Sequence, residues 1–364
     1  MDKMINFTAE RDTARNLAQS SFDWQKRGQV FVSLNSGQWW EPKSLYWDDP
    51  KRRFNVQLEK LMRNSQLGCG NFPIMLIDYG DILIPALFGA EIGDVDGGPW
   101  IHHLLPEISA QRKLSRPSFD TPLGQHILRT VDYFAEHCPT GITLLPPHKL
   151  SPFGNAHLIR GNDLFIDLYD NPKEVHELLL KVTEAFIYAF EFLHARLGMP
   201  IVPGVSPNGF PLPGIFIGDD SSITLSPGHI AEFDLEYIHR LTKHFGAPAF
   251  MHYCVMNDTQ GLQLLQAYRD ADLVIGLNNQ YGPDFFLDHY EEHFQHRLFL
   301  ATESSPASLG STPDMRLKRF SQILARLQDE MSGKNGLLYF VDGIAEDELP
   351  SFVTLKREFE GNIR

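Results

Sequence analysis

The sequence predicts a (β/α)8 TIM barrel, and three observations carry that expectation. Eight short apolar runs look like buried strands. Helical stretches with start and stop residues lie between several of them. The 364 residues are 43% apolar, enough for one large core. Strand and helix alternating in this way is the pattern of a closed parallel barrel. A single domain over residues 1–364 is expected, with an N-terminal extension ending near residue 70. An open doubly wound sheet is the alternative.

In chain order, the runs are "VFVSLN" (30–35), "PIMLID" (73–78), "ITLLPP" (142–147), "IVPGVS" (201–206), "AFMHYC" (249–254), "DLVIGL" (272–277), "LFLATE" (298–303) and "LLYFVD" (337–342). They are rich in β-branched and aromatic residues, and most end in polar, Gly or Pro positions. Strands buried on both faces read this way. The helical stretch 172–198 opens at Pro172, behind Asp170 and Asn171, and stops at Gly198. Stretch 226–246 has Ser226 as N-cap, Pro227 in the first turn and Gly246 past its end. Stretch 312–333 repeats the formula with Thr312, Pro313 and Gly333.

Barrel chemistry sits at the carboxyl ends of the strands. The polar residues there are Asp78, Asp81, His148, Ser206, His252, Cys254, Asn278, Asn279, Glu303 and Asp342. His252 and Cys254 stand out. Imidazole and thiolate are preferred zinc ligands, and the pair follows an apolar run. Asp342, or Glu303 at the end of "LFLATE", is expected to complete three ligands and leave one position open. The bland reading makes His252 and Cys254 ordinary strand-end residues. Cys69 and Cys138 sit in loop-like contexts and read as structural. Adjacent His102 and His103 point to opposite faces of an extended segment and make no metal pair. Trp39, Trp40, Phe153, Phe210, Phe216 and Tyr281 would wall an aromatic pocket or fill the core.

Composition excludes several classes. A net charge of −14 argues against a nucleic-acid partner. No apolar run reaches the roughly 18–20 residues of a membrane span. The charged start "MDKMINFTAERDTARNL" lacks an apolar signal core, and three cysteines without paired spacing argue against a disulfide framework. A soluble cytoplasmic protein is expected. Neither the phosphate-loop pattern nor the dinucleotide pattern occurs.

Four stretches together resemble the uroporphyrinogen decarboxylase superfamily, over about residues 70 to 255. They are "DYGDILIPALFGAEIGDVDGGPW" (78–100), "LSPFGNAHLIRGNDLFIDLYDNPKEVHELLLKVTEA" (150–185), "GDDSSITLSPGHIAEFDLEYIHRLTKHFG" (218–246) and "FMHYC" (250–254). The resemblance implies a barrel and one of two chemistries. In the decarboxylases an Asp stabilises the cation developing on a porphyrinogen, and Asp81 matches it. The same Asp81 would otherwise cap the helix starting "ILIPALFG". His157 stands where that branch has a substrate tyrosine, and Asp219 and Asp220 fall in a pocket-lining stretch. The decarboxylases clamp their anionic substrate with N-terminal arginines, whereas this chain has Trp39, Trp40 and Glu41 there. Arg52 and Arg53 come later, on a helix expected to be solvated.

The other branch uses Zn2+ to make a thiolate that accepts a methyl group, usually from a corrinoid protein. "FMHYC" resembles its His-x-Cys. That branch takes a further Cys after the last strand, where this chain has Asp342 and Gly343. The expected function is therefore zinc-dependent methyl transfer on a small-molecule substrate, with Asp81, His157 and Asp219 contacting it. The resemblance permits a homodimer. A metal-independent decarboxylase and a non-catalytic binding barrel are the alternatives.

Overall fold

The strands, in chain order, are β1 (Phe31–Ser36), β2 (Ile74–Leu76), β3 (Ile92–Val95), β4 (Gly98–Ile101), β5 (Thr143–Leu145), β6 (Gly204–Val205), β7 (Pro211–Leu212), β8 (Ile215–Gly218), β9 (Ala249–His252), β10 (Val274–Asn278), β11 (Leu298–Glu303) and β12 (Leu337–Ile344). This computed structural model describes residues 5–24, 30–37, 47, 49–95, 98–147, 150–254, 258–269, 271, 273–303 and 305–363. Six strands form one parallel sheet in the order β1-β12-β11-β10-β9-β8, and β2 and β5 form a separate parallel pair. The chain is thus a mixed α/β fold.

The described ladders do not close into the expected ring. Toward β2, Leu34 N–H reaches Cys69 O at 3.3 Å. Beyond β8, the parallel bridge is Leu150 to Gly218, with Ser151 N–H on Gly218 O at 2.6 Å. The two strands at these seams are three residues each, and proline flanks both. Pro73 precedes β2, and Pro146 and Pro147 follow β5; proline has no N–H to donate to a ladder. The expected strand over 201–206 is also displaced. Its prolines at 200 and 203 leave only the two-residue β6, paired antiparallel with β7. The sheet takes β8 in its place. β1 pairs with β12, so the segment before residue 70 contributes to the sheet and is not wholly an extension.

Strand alternation divides the core into two faces. Phe250, Leu298, Leu300, Leu338 and Phe340 pack on one side with Phe210 and Leu212. Ala14 and Ala18 of the Phe7–Phe22 helix cover the same side. This is called the inner face. Met251, Phe299, Ala301, Tyr339 and Val341 pack on the other, outer face, against helices such as Pro172–Arg196. Both faces are apolar, which is why the strands read as continuous runs.

The helices follow their end signals. Thr312 accepts the Met315 N–H at 3.3 Å at the start of Pro313–Glu330. Ser226 accepts the His229 N–H at 3.3 Å, and Gly246 ends that helical stretch at φ 63°. Between those ends the helix widens into a π segment, Ile230–Leu235. Such a bulge re-aims side chains, and here Asp234 is fully buried. Arg53 lies on Pro50–Leu67 but is fully buried rather than solvated. Its Nη2 donates to Asp78 O at 2.6 Å, and its guanidinium lies 4.5 Å from the Tyr79 ring centroid.

Candidate metal centre

His252 and Cys254 are two residues apart at the end of β9, so both side chains fall on one face. They share parity with Phe250 and hence lie toward the inner face. Beside them β8 ends at Gly218, and Asp219 N–H donates to His252 O at 2.6 Å. That bond aligns the two strand ends. Asp219 shares parity with Ile215 and Ile217 of the outer face, and Asp220 with Phe216 of the inner one.

The carboxylate that reaches the pair is Asp220. Its Oδ1 lies 3.8 Å from His252 Nε2 and accepts the Cys254 N–H at 2.7 Å. Cys254 Sγ lies 3.7 Å from His252 Nε2. Asp220, His252 and Cys254 are the group of potential ligand atoms lying within 4.8 Å of one another among the described residues. Zinc bonds of about 2.3 Å to sulfur and 2.0–2.1 Å to nitrogen, at tetrahedral angles, separate those ligand atoms by about 3.5 Å. The observed spacings are close to that, so the three residues fit a zinc ion and leave a fourth position open.

Hydrogen bonds orient the imidazole. His252 Nδ1 meets Asn278 Oδ1 at the end of β10. The Asn278 amide donates to Leu300 O at 2.6 Å, which turns its oxygen toward the histidine. An oxygen can only accept, so Nδ1 carries the proton and Nε2 keeps its lone pair for a metal. The Phe216 ring stacks alongside His252, with centroids 6.2 Å apart. Burial, the Asp220 carboxylate and then Asp81 push the Cys254 thiol up to about 12. The site therefore holds a protonated thiol until a cation reverses the balance.

The remaining expected residues are placed as follows. Asp81 adds the last of the electrostatic effects that raise the Cys254 thiol. It does not cap the short Leu83–Leu87 helix, whose N-cap is Ile82. His157 Nδ1 meets Ser221 Oγ at 2.8 Å and its Nε2 meets Asn162 Oδ1 at 3.0 Å, beside the Asp220 loop. Asp219 is fully buried and turned away from the pair. It accepts from Ser151 Oγ at 2.5 Å and from the Ser221 and Ser222 N–H groups at 3.1 and 3.0 Å. Its charge is felt by the buried Asp234, which accepts from Tyr268 OH at 3.0 Å.

Neither carboxylate expected to complete the ligand set joins it. Glu303 lies on the outer face with Phe299 and Ala301, and Ser308 Oγ donates to it there. Asp342 shares the inner-face parity of Leu338 and Phe340, but β10 and β11 stand between its strand and β9. Three strand spacings amount to about 14 Å along a sheet. Asp342 instead accepts from Asn35 at 2.7 Å. It also attracts Lys60, whose amine burial lowers to about 8 against that attraction. His148, Trp39, Trp40 and Glu41 lie outside the described residues.

Asp220 escaped the expected ligand set because both faces of "IFIGDD" are apolar, and period two does not say which face is inner. The signal present was parity with Phe216.

No helix among the described residues is long and apolar enough to cross a membrane. A scan against protein-family models and a search of curated proteins both find no match. Among solved structures, the chain is similar to a methyltransferase from Methanosarcina mazei. The TM-score is 0.65 and the identity 14%, over 96% of this chain and 99% of that one. At that identity the likeness establishes shared architecture over nearly the whole of both chains.

Proposed function

We propose that the chain is a zinc-dependent methyltransferase of the uroporphyrinogen decarboxylase superfamily. Its eight barrel strands would be β1, β2, β5 and β8–β12, with seams beside β2 and β8. The methyl donor would be a corrinoid, carried by a partner protein, or a methylated small molecule, and the acceptor a thiol or similar group. The observation that carries this is the convergence of Asp220, His252 and Cys254 at adjacent strand ends.

Each residue has a definite task. Cys254 and Asp220 would bring two negative charges, matching a divalent cation, and His252 a neutral lone pair. Zinc, when bound, lowers the pKa of a coordinated thiol and so supplies the nucleophile at neutral pH. Asn278 holds the imidazole in the required tautomer. Phe216 lies alongside it with its ring nearly parallel. The negative charge of Asp81, felt at Cys254, would favour a methyl donor that carries or develops positive charge. The methyl carbon would bond to the acceptor sulfur, and the donor would leave with the electrons of the broken bond. The decarboxylase alternative loses support because Arg53, buried against Asp78 and Tyr79, is not available as an anion clamp.

Thiol-dependent demethylation of methylcobalamin, followed by absorbance, tests the proposal. The zinc-loaded protein is expected to exceed Cys254→Ala by at least about a hundredfold. Equal rates for the two would end it.

A further inference from the structure

The seam between β5 and β8 holds a cavity of about 480 Å³. That is within the about 300–1,000 Å³ typical of small-molecule sites. Its walls are mostly apolar, including Leu144, Phe190, Ile201, Val205, Ile215 and Phe216, with Thr143 and His194 among them. Charge collects at one place. Arg11 and Arg15, one turn apart on the Phe7–Phe22 helix, line the cavity with side chains 29% and 44% exposed, which marks them as its rim. No Asp or Glu is among the described lining residues, in a chain of net charge −14. Asp12 lies 3.4 Å from Arg11 and 3.8 Å from Arg15, so two guanidiniums face one carboxylate and the rim remains positive.

An apolar slot ending at two arginines matches a molecule with a long apolar body and one anionic end. Guanidinium pairs with carboxylate through parallel N–H donors, and the walls offer a tail what water does not. We propose that this cavity binds a medium-chain carboxylate of the fatty-acid class, tail along the β5–β8 seam and head group at Arg11 and Arg15. The proposal uses neither the metal nor turnover, so it stands or falls separately from methyl transfer.

Cys138 supplies a local reporter. It lines the cavity and is half-buried, whereas Cys69 is in the core and Cys254 is at the metal centre. The test titrates the zinc-loaded full chain with dodecanoate by calorimetry. Iodoacetamide labelling of Cys138 and Cys254 is then followed by peptide mass spectrometry. One dodecanoate per chain is expected, slowing Cys138 labelling at least about tenfold and leaving Cys254 unchanged. Dodecanol and dodecylammonium should bind at least about tenfold more weakly, as should dodecanoate to Arg11→Glu/Arg15→Glu. A tenfold difference corresponds to about 1.4 kcal/mol. Absence of binding, protection of Cys254 in place of Cys138, or equal binding of dodecylammonium would each overturn the proposal. The head-group comparison on the unaltered chain keeps it testable if the double variant folds poorly.

Discussion

Asp219 and Asp220 are chain neighbours with opposite surroundings. Asp219 is fully buried behind the sheet, fastened to Ser151 and to two backbone N–H groups. Asp220 is 45% exposed and meets His252 and Cys254. One peptide step past β8 separates a fold-holding carboxyl from one that faces His252 and Cys254. The cause is the two-residue repeat of extended chain, carried one turn beyond the strand. A ligand group thus gains a rigid footing, because the residue before it is locked into the core.

The sharpest way to break this contrast is to exchange the two effects by mutation. Asp219→Ala strips a buried network of its acceptor and should cost about 3 kcal/mol in urea unfolding. Asp220→Ala should change stability by less than about 0.5 kcal/mol. Equal losses at the two positions would refute the division of labour. Next in size is the tautomer lock. Asn278→Leu should weaken zinc binding about 10–100-fold, measured by chelator competition, with the ligands themselves untouched. Unchanged affinity would mean that the Asn278 contact does not orient His252.

Smaller effects separate the two carboxyls by pH. Metal binding must displace the proton that Cys254 holds, its thiol being pushed up to about 12. Apparent zinc affinity should therefore climb about tenfold per pH unit from 7 to 9, and a flat profile would show that Cys254 is not a ligand. Burial raises the carboxyls of Asp219 and Asp234 above the ordinary range, and the neighbouring Asp219 raises Asp234 further. The folded chain then keeps a proton that the unfolded chain releases above about pH 4. This contribution is complete below that pH and is lost as pH rises through the raised folded value. Asp234→Asn, which cannot titrate, should flatten the fall in stability as pH rises above about 4. An unaltered slope in denaturant melts would remove the retained proton from the account.

Much of this was legible beforehand, for physical reasons. Strand runs at 249–254, 298–303 and 337–342 were plain, because doubly buried strands carry unbroken apolar sequence. The run at 201–206 misled because apolar content outweighed its prolines, while "IFIG" (215–218) supplied the strand that joins the sheet. His252 and Cys254 were readable as a pair, since a spacing of two fixes a common face. Their third partner was not readable. Glu303 and Asp342 both end strands, but one is turned outward and the other lies three strand spacings away. Facing and distance across a sheet come from tertiary packing, which no local pattern encodes. Asn278 was readable only as a polar strand end, and the fold sets it against the His252 imidazole.

The central claim is that Asp220, His252 and Cys254 together hold one zinc ion. Zinc stoichiometry by plasma mass spectrometry, on wild type and the three single alanine variants purified alike, addresses it directly. About one zinc per wild-type chain is expected, with at least about a hundredfold weaker retention in His252→Ala and Cys254→Ala and with Asp220→Ala also depleted. Wild type and variants carrying the same trace of metal, after offered zinc and dialysis, would contradict it.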